Sequence, residues 1–450
     1  MSILLKTEDV NYLRQVREQY ENYPYPPVNP QDEKHKFTVP VTEAFDHLNH
    51  ACFGGRKDFR KEFRSLVAGG GTGDAVIALA EQLRDTGNEV VYVDMSEASM
   101  KVAQERAKIR GLTNIRWIRD SLLNIPTLGL GKFDYINCSG VLHHLANPDE
   151  GLHILSDALK DDGAMGIMVY AQYGRMAVYQ MQEMLRIVNE GEPNLQTQVD
   201  NAKIILNSMP HTNWFIHSSP MIRNEILNGD NAIYDLLLHT QDRAYTIPQL
   251  YEFLEKANLN IVELFSDDRV IGHHLYQPSY YLRDPELIEK VSGWPIKEQQ
   301  ALAELLHGKI EKHTFYATKH LVPPPRPDDL EMVPLLGFNV FSEHAGLLEV
   351  MRANTEKTLN ISQQSTGTIV TINHTPHLVE LFAAIDGKRP LGEIIKFVQQ
   401  TSASKPTSEQ LIAEFAELFV PMRDALWMFL RHQSTAEVMH HDVFQARIPK

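Results

Sequence analysis

The chain has 450 residues, more than one ordinary domain needs, so two or three units with their own cores are expected. A formal net charge of −15 excludes a general nucleic-acid binder, because phosphate contacts require clustered Lys and Arg. Two cysteines, Cys52 and Cys138, cannot form a disulfide framework; no apolar run reaches about 18 residues and acids enter too early for a signal peptide, so a reducing cytoplasm with no membrane contact is expected.

Taken in order, Val10, Leu13, Val16 and Tyr20 recur at roughly helical spacing over residues 1–22. Tyr23-Pro24-Tyr25-Pro26-Pro27 then forbids helix and favours an extended, polyproline-like strip. A short helix is expected near Thr42 to His50, and residues 1–62 read as an N-terminal arm. From Phe63 a short apolar run meets Gly69, Gly70, Gly71 and Gly73, and apolar residues at helical spacing (Val76, Ile77, Leu79, Ala80, Leu83) follow at once. This is strand, tight turn, helix, where glycine lets the backbone take positive φ and a ligand approach. A second strand, Glu89 to Val93, leads to Asp94, placed about 20 residues past the glycines as acids that receive ribose hydroxyls are.

Ser96 caps a predicted helix Glu97 to Arg110, closed by Gly111. Strands are predicted at Ile115–Ile118, Phe133–Cys138 and Ala164–Tyr170, with a helix at Pro148–Leu159 and a turn at Lys160 to Gly163. This alternation implies a parallel sheet covered on both faces over residues 63–171. Residues 172–245 are helical in pattern and read as an insertion over the sheet's carboxyl edge, which shapes a substrate pocket. Thr246 to Gln249 is a capping-box signal, Asn260 to Phe265 a strand, residues 283–308 two short helices and His313 to Thr318 a strand, so residues 246–322 complete the sheet. Residues 323–329 are a Pro-rich linker, and residues 330–450 suggest a small, mainly helical, winged-helix-like domain that folds independently. There a strand is predicted at Gly367–Ile372 and helices at His377–Ala384, Gly392–Gln400 and Glu409–Phe429.

The glycine spacing is G-x-G-x-G, without the third glycine of a dinucleotide fingerprint. With Asp94, Arg119-Asp120-Ser121 and the stretch Phe133 to Leu145, it resembles the motif set of class I, seven-strand S-adenosylmethionine (SAM) dependent methyltransferases. The resemblance implies an α/β, Rossmann-like, doubly wound, mostly parallel sheet with SAM as cofactor. It puts Gly69, Gly71 and Gly73 under the methionine part, Asp94 and Met95 at the ribose, Asp120 and Ser121 at the adenine, and Ser139 on the facing loop. One departure stands out. Many family members carry an acid two residues before the first motif glycine, where this chain has Val67, so the cofactor's ammonium must find other partners, backbone carbonyls near Gly69 and Gly140 being candidates.

His143 and His144 fall on the catalytic-face loop, where a histidine can deprotonate an acceptor or merely pack. Tyr23 and Tyr25 make the arm a candidate lid, the alternative being that they only pin the N-terminal helix. Asp242 to Tyr245 could bind substrate or be a loop held by an ion pair. No metal site is expected, since the paired histidines point apart and lack a third ligand at a recognised spacing. The layout also resembles bacterial methyltransferases with an appended regulatory domain, some acting on protein lysines. The acceptor is therefore expected to be a protein or peptide side chain or a small metabolite, presenting N, O or S, in a monomer or homodimer. The alternative is a non-catalytic SAM-binding regulatory protein.

Overall fold

The computed structural model describes residues 21, 24–217, 226, 229–239, 242–265, 273–337, 343–362 and 369–436. Apart from Glu21, the helix expected over residues 1–22 lies outside them, as does Tyr23.

Seven strands form the central sheet: β1 (Ser65–Ala68), β2 (Val90–Asp94), β3 (Ile115–Arg119), β4 (Phe133–Ser139), β5 (Leu159–Tyr170), β6 (Asn260–Phe265) and β7 (Lys312–Thr318). Their spatial order is β3-β2-β1-β4-β5-β7-β6, with β7 antiparallel to both neighbours and the other pairs parallel. Alternate residues feed opposite cores. Leu66, Ile136 and Ile167 join one buried cluster, while Val67, Tyr92 and Tyr135 join the other. The order reverses between β1 and β4, and ligands of open α/β sheets bind at such a point, beyond the carboxyl ends of the strands.

Local chemistry explains the helices that frame this point. Helix Asp74–Gln82 starts at Gly73 (φ 109°), where a Cβ would stand 2.8 Å from the Cβ of Ala103 on helix Glu97–Arg110. That second helix begins with the Ser96 hydroxyl accepting from the Ser99 amide and ends at Gly111 (φ 67°). The capping box at Thr246 and Gln249 is formed at both ends.

The arm wraps the same helices. Buried Glu33 pairs with Arg106 (2.8 Å) and Arg110 (3.3 Å), and helix Phe45–Cys52 packs its apolar side under the sheet. Helices Met176–Val188, Leu195–Ser208 and Asp230–Leu237 stand over the carboxyl edge with their own apolar cluster.

Two sequence expectations shift. Lys160 to Gly163, expected as a turn, belongs to β5 as an irregularity: Phe133 pairs with Leu159, but Tyr135 with Ala164. The helix expected to reach Phe429 ends at Asp424, because Leu426 turns to φ 58° and β11 (Met428–His432) pairs antiparallel with β8 (Met332–Leu336). The C-terminal part also contains helix His344–Ala353, a hairpin of β9 (Thr358–Ser362) and β10 (Ile369–Asn373), and helices Leu378–Ala383 and Leu391–Thr401. No described helix is long and apolar enough to cross a membrane.

Candidate active site

At the reversal point lies a cavity of about 610 Å³, within the range that takes small ligands. Gly69, Gly71, Gly73, Asp94, Met95, Asp120, Ser121, Ser139, His144 and Tyr25 all line it. Of the residues singled out from the sequence, His143 does not line it.

The glycine turn is shaped by its neighbours. Gly69 donates to the Val93 carbonyl at 2.8 Å, and the Tyr92 hydroxyl donates to the Gly71 carbonyl at 2.7 Å. A Cβ on Gly70 would come within 2.2 Å of the Tyr92 ring, so the turn closes only over glycine. Asp94, at the end of β2, takes the Gly71 amide on Oδ2 and the Ser96 amide on Oδ1, both at 2.8 Å. Burial pushes its carboxyl above the usual range in spite of these amides. The Met95 amide also favours the carboxylate, and the lone pairs left over can accept a ligand hydroxyl.

On the next strand tip, Asp120 Oδ1 accepts from the Ser121 amide and the Asn124 side chain, both at 2.7 Å. Ser139 accepts from Asn137 at 3.0 Å. A glycine cradle, a ribose-type acid and a second polar strand tip fit SAM.

The two histidines part company. His144 faces the cavity and stacks on His239, ring centroids 3.8 Å apart. His143 is fully buried behind it against Tyr170, and neither of its ring nitrogens has a hydrogen-bond partner among the described residues. Burial, then the positive potential of His144, Arg175 and His239, holds its pKa well below the ordinary value, so its ring is neutral. Asp242 is ion-paired with buried Arg175 at 3.5 Å and outside the cavity, which fits the tied-loop reading of that segment. Cys138 is buried, its thiol pushed up to about 12 by desolvation.

The arm crosses the cavity, held by several contacts. Glu21 accepts the Glu97 and Ala98 amides (2.8 and 3.1 Å) at a helix N-terminus, Asn231 of the insertion donates to the Pro24 carbonyl (3.0 Å), and Thr72 to that of Pro26 (2.9 Å).

Beside the cofactor-like part, which Glu43 of the arm also lines, the cavity continues between Met168, Tyr170, Asp235, Lys312 and Thr314. Sequence reading missed this wall. Its residues come from β5, the insertion and β7, and no local signal in the sequence joins them.

Comparison with known proteins agrees with this geometry. A profile described as a methyltransferase domain matches residues 66–165. An uncharacterized protein, syc1184_c of Synechococcus sp., is 30% identical over 314 residues, covering 68% of this chain and 71% of that one. The ubiquinone biosynthesis O-methyltransferase of Salmonella paratyphi A is 23% identical over 193 residues, 41% of this chain and 76% of that one. Among solved structures, PKMT2 from Rickettsia typhi in complex with AdoHcy superposes with a TM-score of 0.59 at 15% identity, covering 91% of this chain and 77% of that one.

Proposed function

Because this chain belongs to the class I SAM-dependent methyltransferases, with SAM as its cofactor, we propose that it methylates an N, O or S atom presented at the inner end of the cavity. The observation that carries this reading is the further wall of the cavity, Met168, Tyr170, Asp235, Lys312 and Thr314, which a protein that merely sensed SAM would not need.

In this reading Asp94 accepts the ribose hydroxyls with Met95 beside it, Asp120 and Ser121 flank the adenine, and Gly69, Gly71 and Gly73 let the backbone approach the methionine part. Ser139 sits on the facing loop. Bound SAM supplies a methyl group on a sulfonium. The chain's work is to hold the acceptor atom in line with that group and to keep water out, and positioning of this kind lowers a barrier by several kcal/mol. His144 is the residue to take a proton from a protonated acceptor, since it alone of the two histidines faces the chamber. His143 acts behind it as a positioning residue, wedged against Tyr170. Tyr25 serves as a lid, roofing the glycine turn.

The acceptor is a small metabolite or a slender side chain of a peptide or protein, either of which can thread a single nucleophile past the arm. Incubating the protein and methyl-labelled SAM with a cell extract separates these: label in small molecules or in macromolecules names the class. No transfer to either, with SAM bound, would replace this reading by that of a regulatory SAM-binding protein.

A further inference from the structure

Val67, where many relatives of this fold carry an acid, is paired in register with Asn137 on β4. Both residues face the same side of the sheet. Against Asn137 on that side lies Glu43, brought in by the arm: Oε1 accepts from Asn137 Nδ2 at 2.5 Å and from the Tyr135 hydroxyl at 3.2 Å, and Oε2 from the Thr42 hydroxyl at 2.9 Å. Its backbone carbonyl is fixed by Gln82 Nε2 at 2.7 Å, on the helix that follows the glycine turn. The carboxyl is thus held rigidly at the cavity wall, 1% exposed.

All three side-chain donors are neutral. The titratable groups that surround Glu43 are Tyr135 on β4, Tyr316 on β7, Cys52 on helix Phe45–Cys52 and Asp74 at the start of helix Asp74–Gln82. None of these is a cation and Asp74 adds repulsion; Lys312 of β7 lines the same cavity but makes no ion pair with Glu43 among the described residues. A buried carboxyl without a counter-charge, in the wall of a ligand cavity, is an unfilled half of an ion pair.

Given the cofactor reading above, we propose that Glu43 binds the α-ammonium of SAM, its carboxylate replacing from the arm the acid absent at Val67. The ammonium belongs to the methionine end, which the glycine turn directly after β1 receives. Burial pushes the free carboxyl up to about 7, so a cation that favours the carboxylate displaces its proton on binding.

The test uses calorimetry on the full chain with three ligands: SAM, S-adenosylhomocysteine, and the thioether analogue lacking the α-amino group. In Glu43→Gln, whose amide oxygen can still accept from Asn137, affinity for SAM and for S-adenosylhomocysteine should fall together by about tenfold or more, while that for the deaminated analogue stays unchanged. Adding Val67→Asp should restore part of the loss, because the carboxylate returns to the neighbouring strand position. Equal losses on all three ligands would reduce Glu43 to a structural role. Loss on SAM alone would assign it to the sulfonium, and no loss would remove it from the site; each overturns the proposal. Failure of the wild-type chain to bind any of the three would instead overturn the cofactor reading beneath it.

Discussion

Asp94 joins two tasks that substitution can separate. Its oxygens hold the Gly71 and Ser96 amides at 2.8 Å, and in the proposed complex they also accept the ribose hydroxyls. Hydrogen bonds to a charged group contribute about 1.5–3 kcal/mol each, so losing two raises the SAM dissociation constant by about 10²- to 10⁴-fold. Loss of the amide acceptors has its own cost. Ser96 is buried, and its orphaned amide destabilises the fold by about 1–3 kcal/mol, whereas Gly71 is partly exposed and water can take its amide. Asp94→Ala should therefore weaken SAM binding by at least about 10²-fold and lower stability modestly, while Asp94→Asn, which keeps one acceptor oxygen, should keep most of the stability and still lose much of the affinity. Calorimetric titration beside urea unfolding measures both. If Asp94→Ala binds within about threefold of the wild type while losing the expected stability, Asp94 only braces the turn and the ribose assignment fails.

Three further outcomes follow from the arm and its surroundings. Glu43 rises from an ordinary 4.5 to about 7, so its protonated form is favoured by folding. Its contribution is complete below pH 4.5 and fades as pH rises to about 7, about 3 kcal/mol in all at about 1.4 kcal/mol per unit. Urea unfolding of the ligand-free chain should thus show a fall across this window that Glu43→Gln reduces, and parallel curves for the two proteins would refute it. Tyr25→Ala leaves the Glu21, Pro24 and Pro26 tethers in place and should lower methyl transfer about tenfold, near 1.4 kcal/mol of barrier, with little change in melting; equal losses of both would leave Tyr25 a merely structural pin. Contrary to the independent C-terminal unit expected from the sequence, Leu335, Leu426 and Phe429 share a buried cluster with Phe45 and Leu48, so truncation after Pro325 should yield a chain that aggregates or binds SAM weakly, and a soluble fragment of full affinity by gel filtration and calorimetry would show that residues 330–450 are dispensable to the site.

The sheet was legible because each strand carries a local signature. Glycines, an acid after a β-rich run and caps at Ser96 and Thr246 depend on a few neighbouring residues, and the structure keeps them within a residue or two. In the C-terminal part β10 (Ile369–Asn373) falls on the strand expected at Gly367–Ile372, whereas β8 and β11 were not legible, for the opposite reason. Met428 to His432 continues an apolar helical pattern, and only pairing with β8, far away in sequence, makes it a strand. The same distinction divides the cavity. Gly69 to Asp94 form one contiguous half, whereas Glu43, Asp235 and Lys312 come from separate parts of the chain that no period connects.

What holds Glu43 in place joins the site to the far end of the chain. Phe45, two residues on, donates to Gln82 Oε1 at 3.2 Å, so Gln82 clamps both the glutamate's carbonyl and the start of helix Phe45–Cys52. The other side of that helix is covered by the C-terminal segment: His47 stacks on Phe429 at 5.1 Å, His50 accepts the Leu430 amide at 3.0 Å, and Gly55 accepts that of His432 at 2.8 Å. Leu335, Leu426 and Phe429 share a buried cluster with Phe45, Leu48 and Val67, and Arg423 pairs with Glu263 on β6. Removing the C-terminal part would strip this face and take the Arg423 guanidinium from Glu263, a partly buried carboxylate that also faces His47 at 3.4 Å. Glu43 stands two residues ahead of this short helix, whose flank carries the C-terminal segment, so a change in how that segment docks acts on Glu43 through a rigid element only eight residues long.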